Sequence, residues 1–151
     1  MGVIVAKFRK ILCPIAFDHN SIAALEIACE VAAGRSATVH LLHVARVPSQ
    51  DMDVPLPFNA DPRWEREART KLEQIARDRL EGKVRYQIHV VSGTPDLEVV
   101  RMAHELKADL VVMATHGRKG LSHFILGSVA EHVMREADCP VLTMRTKVKS
   151  E

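Results

Sequence analysis

Aromatic residues are scarce in this chain: one Trp, one Tyr and four Phe amount to 4% of its 151 residues. Surfaces that grip nucleic acid interleave basic side chains with stacking rings, and the formal net charge is only +2, so a nucleic-acid partner is not expected. The densest basic cluster, Arg145-Thr146-Lys147-Val148-Lys149, reads as a solvated terminus. Cysteine is also sparse. Cys13, Cys29 and Cys139 lie far apart with no C-x-x-C, which argues against a disulfide framework and fits a reducing, cytoplasmic compartment. Each reads as a small buried hydrophobe. No apolar run is long enough to cross a bilayer, and the chain reaches Asp18 without a long apolar segment, so neither a membrane span nor a secretion signal is expected. Two phosphate-binding signatures are missing as well. Gly82-Lys83 is followed by Val84 rather than Ser or Thr, and no G-x-G-x-x-G occurs, which removes the P-loop and the dinucleotide fingerprint.

What is present is a chain that is 47% hydrophobic with near-balanced charge, of a length that fills one core, so residues 1–151 are expected to form a single domain. Two hydrophobic periods alternate along it. Lys10-Ile11-Leu12-Cys13-Pro14-Ile15 is a short apolar run, and Asn20 or Ser21 is expected to cap a helix over Ile22 to Ala32 that ends at Gly34. Thr38 to Val44 is β-rich, and Pro48, Pro55, Pro57 and Pro62 then make the segment from Val47 to Pro62 a long loop, a candidate cover or partner-contacting surface. Trp64 to Leu80 carries a helical stripe and Val84 to Val91 alternates as a strand. Thr94-Pro95 is a helix start for Asp96 to Leu106, followed by a strand at Asp109 to Met113, a helix at Ser128 to Ala137 and a strand at Val141 to Met144. Strands apolar on both faces, alternating with helices, predict an α/β fold: an open parallel five-stranded sheet with helices on both faces and strand order 3-2-1-4-5. Ligands of such sheets bind beyond the carboxyl ends of the strands where the order reverses, here after the first and fourth strands.

The most informative segment lies at that place. Val111-Val112-Met113-Ala114-Thr115-His116-Gly117-Arg118-Lys119-Gly120 is an apolar strand ending in a basic glycine loop, and Gly127-Ser128-Val129-Ala130-Glu131-His132 opens a helix. A helix start has unpaired N–H groups and a partial positive charge, a natural seat for phosphate. Read more plainly, Gly127-Ser128 is only a helix cap and the loop glycines only turn residues. Ser128 and His132 have the spacing of a nucleophile and base, but a capping serine points its hydroxyl at the backbone. Gly117-Arg118-Lys119-Gly120 has the form of a KH-domain loop without the KH arrangement around it. His40 and His43, three apart on a strand, should face opposite ways, and His116 with His123 lacks a third ligand, so no metal site of side chains alone is expected.

The spacing Gly117, nine residues, Gly127-Ser128, together with Ile11-Leu12-Cys13-Pro14, Leu42-His43-Val44 and Ala137-Asp138-Cys139-Pro140-Val141-Leu142, resembles the universal stress proteins over nearly the whole chain. That resemblance implies a Rossmann-like domain that binds an adenine nucleotide, ATP, ADP or AMP, as a regulatory ligand with turnover absent or slow, with Mg2+ accompanying a triphosphate. By position it implies that Pro14, Ile15 and Ala16 cup adenine and ribose, that the Val44 backbone faces the adenine, and that Met113 and Ala114 line the ribose. His116 and Gly117 would approach the phosphates, and Gly127, Ser128 and Val129 would contact them at the helix start. It further implies a homodimer paired through the apolar edge strand Val141-Leu142-Thr143-Met144. The chain departs from the family pattern at Ala16, where an aspartate is usual, and at Ala114, where a glycine is usual. Loss of a charge-assisted hydrogen bond at Ala16 would cost about 1.5–3 kcal/mol. Those two positions favour the competing reading, a stress-response protein that binds no nucleotide and acts on an unknown protein partner through its dimer surface.

Overall fold

The computed structural model describes residues 7–46, 62–115 and 127–145. Among the described residues nine elements follow one another: β1 (Lys10–Pro14), α1 (His19–Ala32), β2 (Thr38–Arg46), α2 (Pro62–Leu80), β3 (Arg85–Gly93), α3 (Pro95–Leu106), β4 (Leu110–Ala114), α4 (Ser128–Glu136) and β5 (Val141–Met144). All strand pairs are parallel and the sheet order is β3-β2-β1-β4-β5, as the alternating periods predict.

Consecutive strand residues bury on opposite faces, and each face has its own core. Ile11, Cys13, Val39, Leu41 and Val112 pack with Leu25 of α1 and Leu72 and Leu80 of α2. Leu12, Leu42, Val111 and Met113 pack with Val99 and Met102 of α3 and Ala130 and Val133 of α4. A strand covered on both sides has no place for a polar alternate, which is why the sequence of β1 and β4 reads as an unbroken apolar run.

Several boundaries differ from those expected. Helix α1 starts at His19, and its cap is Asp18, whose Oδ1 accepts from the Ser21 N–H at 2.8 Å. Asn20 and Ser21 therefore lie within the first turn rather than at the cap. Helix α2 begins at Pro62, where a proline loses nothing by lacking an N–H. The rest of the proline-dense segment, 47–61, lies outside the described residues. Strands β2 and β3 run two residues beyond the expected ends because they stay in register from Thr38↔Arg85 to Arg46↔Gly93. At α3, Thr94 is the cap residue, but its side chain makes no cap hydrogen bond; Lys107 closes the helix in the left-handed conformation at φ 52. Between the amino ends of β1 and β4, Asp109 Oδ2 accepts from the N–H groups of both Arg9 and Lys10 at 2.9 Å.

Candidate functional site

The strand order reverses between β1 and β4, and these parallel strands are paired only at Ile11↔Leu110 and Leu12↔Val111, short of their carboxyl ends. Past that point stand the last residues of β4, Met113 (buried) and Ala114 (half-buried), and on the other side Pro14, Ile15 and Ala16. Ile15 is 2% exposed, whereas Ala16 is open to solvent.

The loop after β1 is closed by its own hydrogen bonds. Ile15 N–H donates to the Leu42 carbonyl at 2.8 Å, and Ala16 N–H donates to Ser21 Oγ at 3.1 Å. The Ser21 hydroxyl donates to the Asp18 carbonyl at 3.2 Å. Asp18 lies two positions beyond the place where the family pattern has its aspartate, and this carboxylate is spent on capping α1. Its Oδ2 is buried without a hydrogen-bond partner. Phe17 adopts φ 56, a left-handed conformation costly for a bulky residue. It is held there by packing against the His43 ring, with centroids 4.2 Å apart. Lys71 Nζ lies 5.6 Å from the Phe17 centroid, within cation–π range.

On the β4 side, the Thr115 N–H donates to the Met144 carbonyl at 3.0 Å, and the Gly127 N–H returns to the Thr115 carbonyl at 2.9 Å. These bonds fix the mouth of α4 against the end of β4. Gly127 is the cap residue, at φ −58 and ψ 146, with no side-chain cap bond. Its own N–H is thus committed internally. Ser128 is the first helical residue and exposed, and Val129 is half-buried. Among the described residues the amides of Ser128, Val129 and Ala130 have no hydrogen-bond partner, nor does the Ser128 hydroxyl. Three adjacent N–H groups at a helix start, beside the switch point, are donors of the kind that anions meet at helix N-termini. His116 and Gly117, also expected at the site, lie outside the described residues.

The structure therefore brings Pro14 and Ile15 against Leu42 at the end of the β1–β2 ladder, two residues short of Val44, and joins the end of β4 to Gly127, at the head of α4, through Thr115. His132 is turned toward Asp96, Nδ1 to Oδ2 3.7 Å, and among the described residues no hydrogen bond joins it to Ser128. His40 and His43 do face opposite sides: His40 Nδ1 meets His89 Nε2 at 3.0 Å, and His43 turns to the β1–α1 loop. No group of three His, Cys, Asp or Glu among the described residues could hold a metal ion. Nor is any described helix long and apolar enough to cross a membrane. All three cysteines are free, and burial raises the Cys13 thiol far above its ordinary pKa. Two open concavities lie elsewhere on the described surface, about 440 Å³ along Arg63, Arg66, Glu67, Thr70 and Lys71 and about 340 Å³ at the amino ends of β2 and β3. Neither carries the open helix-mouth amides, which lie at the switch point.

Sequence reasoning missed the His43 contact, the Ser21 lock on Ala16 and the His40–His89 pair. Only the capping role of Asp18 had a local signal, an aspartate three residues before Ser21.

An open 3-2-1-4-5 parallel sheet with a glycine-initiated helix mouth at its switch point defines the Rossmann-like α/β class. The model of the universal stress protein family matches residues 7–145. The chain is 33% identical over 149 residues to Universal stress protein MJ0531 of Methanocaldococcus jannaschii, covering 94% of this chain and 85% of that protein. The solved structure of MJ0577, from the same organism, superposes with a TM-score of 0.82 at 26% identity, covering 95% of this chain and 99% of that one. A universal stress protein solved in complex with cAMP shares the fold, with a TM-score of 0.63 at 24% identity over 93% of this chain and 99% of that one. The chain belongs to the universal stress protein family.

Proposed function

We propose that this protein is a single-domain cytoplasmic universal stress protein that binds an adenine nucleotide as a regulatory ligand, with hydrolysis absent or slow. The observation that carries this reading is the set of open amides at Ser128, Val129 and Ala130, next to the parted ends of β1 and β4. A helix end adds about 0.3–1 kcal/mol per nearby negative charge, and each amide a hydrogen bond to a charged acceptor of about 1.5–3 kcal/mol. A relative of the same fold is described with cAMP, itself an adenine nucleotide. The base and ribose would lie against Pro14, Ile15, Ala16, Val44, Met113 and Ala114. The phosphates would lie against Ser128, Val129, His116 and Gly117, with Mg2+ accompanying a triphosphate, and Gly127 would serve through its small size rather than its N–H. Isothermal titration with Mg-ATP tests the reading: micromolar binding is expected in the natural chain and none in a Gly127→Val/Ser128→Leu variant that remains folded. Absence of heat with the natural chain would refute it.

Two observations favour a second reading, in which the protein acts through a surface rather than a ligand. Ala16 presents no carboxylate, and β5 is an edge strand with Leu142 37% exposed. We propose that β5 pairs with its counterpart in a homodimer under either reading. Sedimentation equilibrium should give a dimer in the natural chain and a monomer in Leu142→Asp.

A further inference from the structure

The β1–β2 ladder ends one hydrogen bond early. Its register runs from Lys10↔Thr38 to Pro14↔Leu42, and Ile15 continues it by donating to the Leu42 carbonyl at 2.8 Å. In a parallel ladder the residue that donates to one carbonyl returns its own oxygen to the amide two positions further on. The next bond would thus run from the Val44 N–H to the Ile15 carbonyl, and it is absent among the described residues. The Ile15 oxygen is met instead by the His43 ring, with Nδ1 2.8 Å away. A carbonyl can only accept, so Nδ1 carries the hydrogen and donates it.

The surroundings keep His43 in that role. Strand alternation turns its side chain toward the core under α1 and α2, where Phe17 packs on the ring at 4.2 Å. The Ala16 N–H is already held by Ser21 Oγ. The Ile15 N–H and carbonyl and the Ala16 N–H are therefore taken, whereas Val44, which faces the same side as Leu42, is left with its N–H and C=O toward the space that β1 vacates.

We propose that His43 is a positioning residue: it occupies the Ile15 carbonyl and so keeps the Val44 N–H and C=O open as donor and acceptor toward the base that the proposed function already sets there. Adenine has the matching pattern, an acceptor at N1 beside a donor at N6. This rests on the nucleotide reading for its ligand, but the hydrogen bond itself is testable without one.

Amide hydrogen exchange of the full chain, followed by NMR, is the test. In the natural chain the Val44 amide should exchange at least about tenfold faster than the ladder-bonded Leu42 amide, the scale of one backbone hydrogen bond. In His43→Leu, which keeps apolar bulk but cannot donate, Val44 should close onto Ile15 and slow by about tenfold, whereas general loosening of the sheet would speed it. His43→Gln, whose amide can donate, should restore the natural rate. Mg-ATP affinity should fall about tenfold in His43→Leu and recover in His43→Gln. A Val44 amide as protected as Leu42 in the natural chain overturns the proposal, even if the leucine variant fails to fold. So does a folded His43→Leu in which Val44 is no slower, or one in which it slows without loss of affinity. Failure of the natural chain to bind Mg-ATP would sink the nucleotide reading alone, since the Val44 rates would still decide what His43 does.

Discussion

Acid should weaken this protein through one buried imidazole. Leu42↔His89 register puts His89 diagonally across from His40, and the rings lie with centroids 5.2 Å apart at 27°. The Nδ1 to Nε2 contact of 3.0 Å needs one ring to accept, which an imidazolium cannot do. His40 is only 5% exposed. Burial first, then the charges of His89 and Lys10, hold its pKa at about 4 rather than 6.5; burial and then Arg69 lower His89 as well. The folded state thus takes up a proton less readily than the unfolded chain. The stability this gives is complete above pH 6.5 and is lost as the pH falls toward about 4. At about 1.4 kcal/mol per pH unit, the full interval corresponds to about 3 kcal/mol, and about 2 kcal/mol should be gone by pH 5. Urea denaturation followed by circular dichroism between pH 7.5 and 5 measures this directly. A His40→Leu chain should lose clearly less over the same range, because it has no buried imidazole at that position to protonate and only His89 remains. Parallel pH profiles for the two chains would refute the reasoning.

Three further outcomes are expected. Asp18→Ala removes the α1 cap and should cost about 1 kcal/mol in chemical denaturation; unchanged stability would show that the cap bond contributes nothing. Leu41→Ala opens a void in the core between the sheet, α1 and α2, where Leu41 is 0% exposed, and should cost about 2–5 kcal/mol by the same assay. Gly93→Ala places a Cβ 2.7 Å from Glu98 Cγ at a φ of +153. It should destabilise by about 1–3 kcal/mol, and a Tm equal to that of the natural chain would contradict it.

Fold and site were legible to different depths. Ile11-Leu12-Cys13 and Val111-Val112-Met113 reveal two-sided burial because no polar alternate interrupts them, and this fixes a parallel sheet between helices. Thr94-Pro95 and Gly127-Ser128 mark helix starts by chemistry confined to a few residues. Other features had no such local mark. Ala16 and Asp18 look like a ligand residue lost and a neighbour spare. In the folded chain Asp18 caps α1, and Ala16 is tied to Ser21, through bonds that exist only once the loop has closed.

Sequence alone determined the class of fold, the alternation of elements and the place where the sheet reverses, because hydrophobic period and turn chemistry act over a few neighbouring residues. It also placed Gly127-Ser128 at the head of a helix facing that reversal. Tertiary structure alone decided that the Gly127 N–H is returned to Thr115, that His43 rather than Val44 holds the Ile15 carbonyl, and that His40 meets His89. Each of these depends on the register and closure of segments far apart in the chain, and no local pattern encodes a distance between residues that meet only after folding.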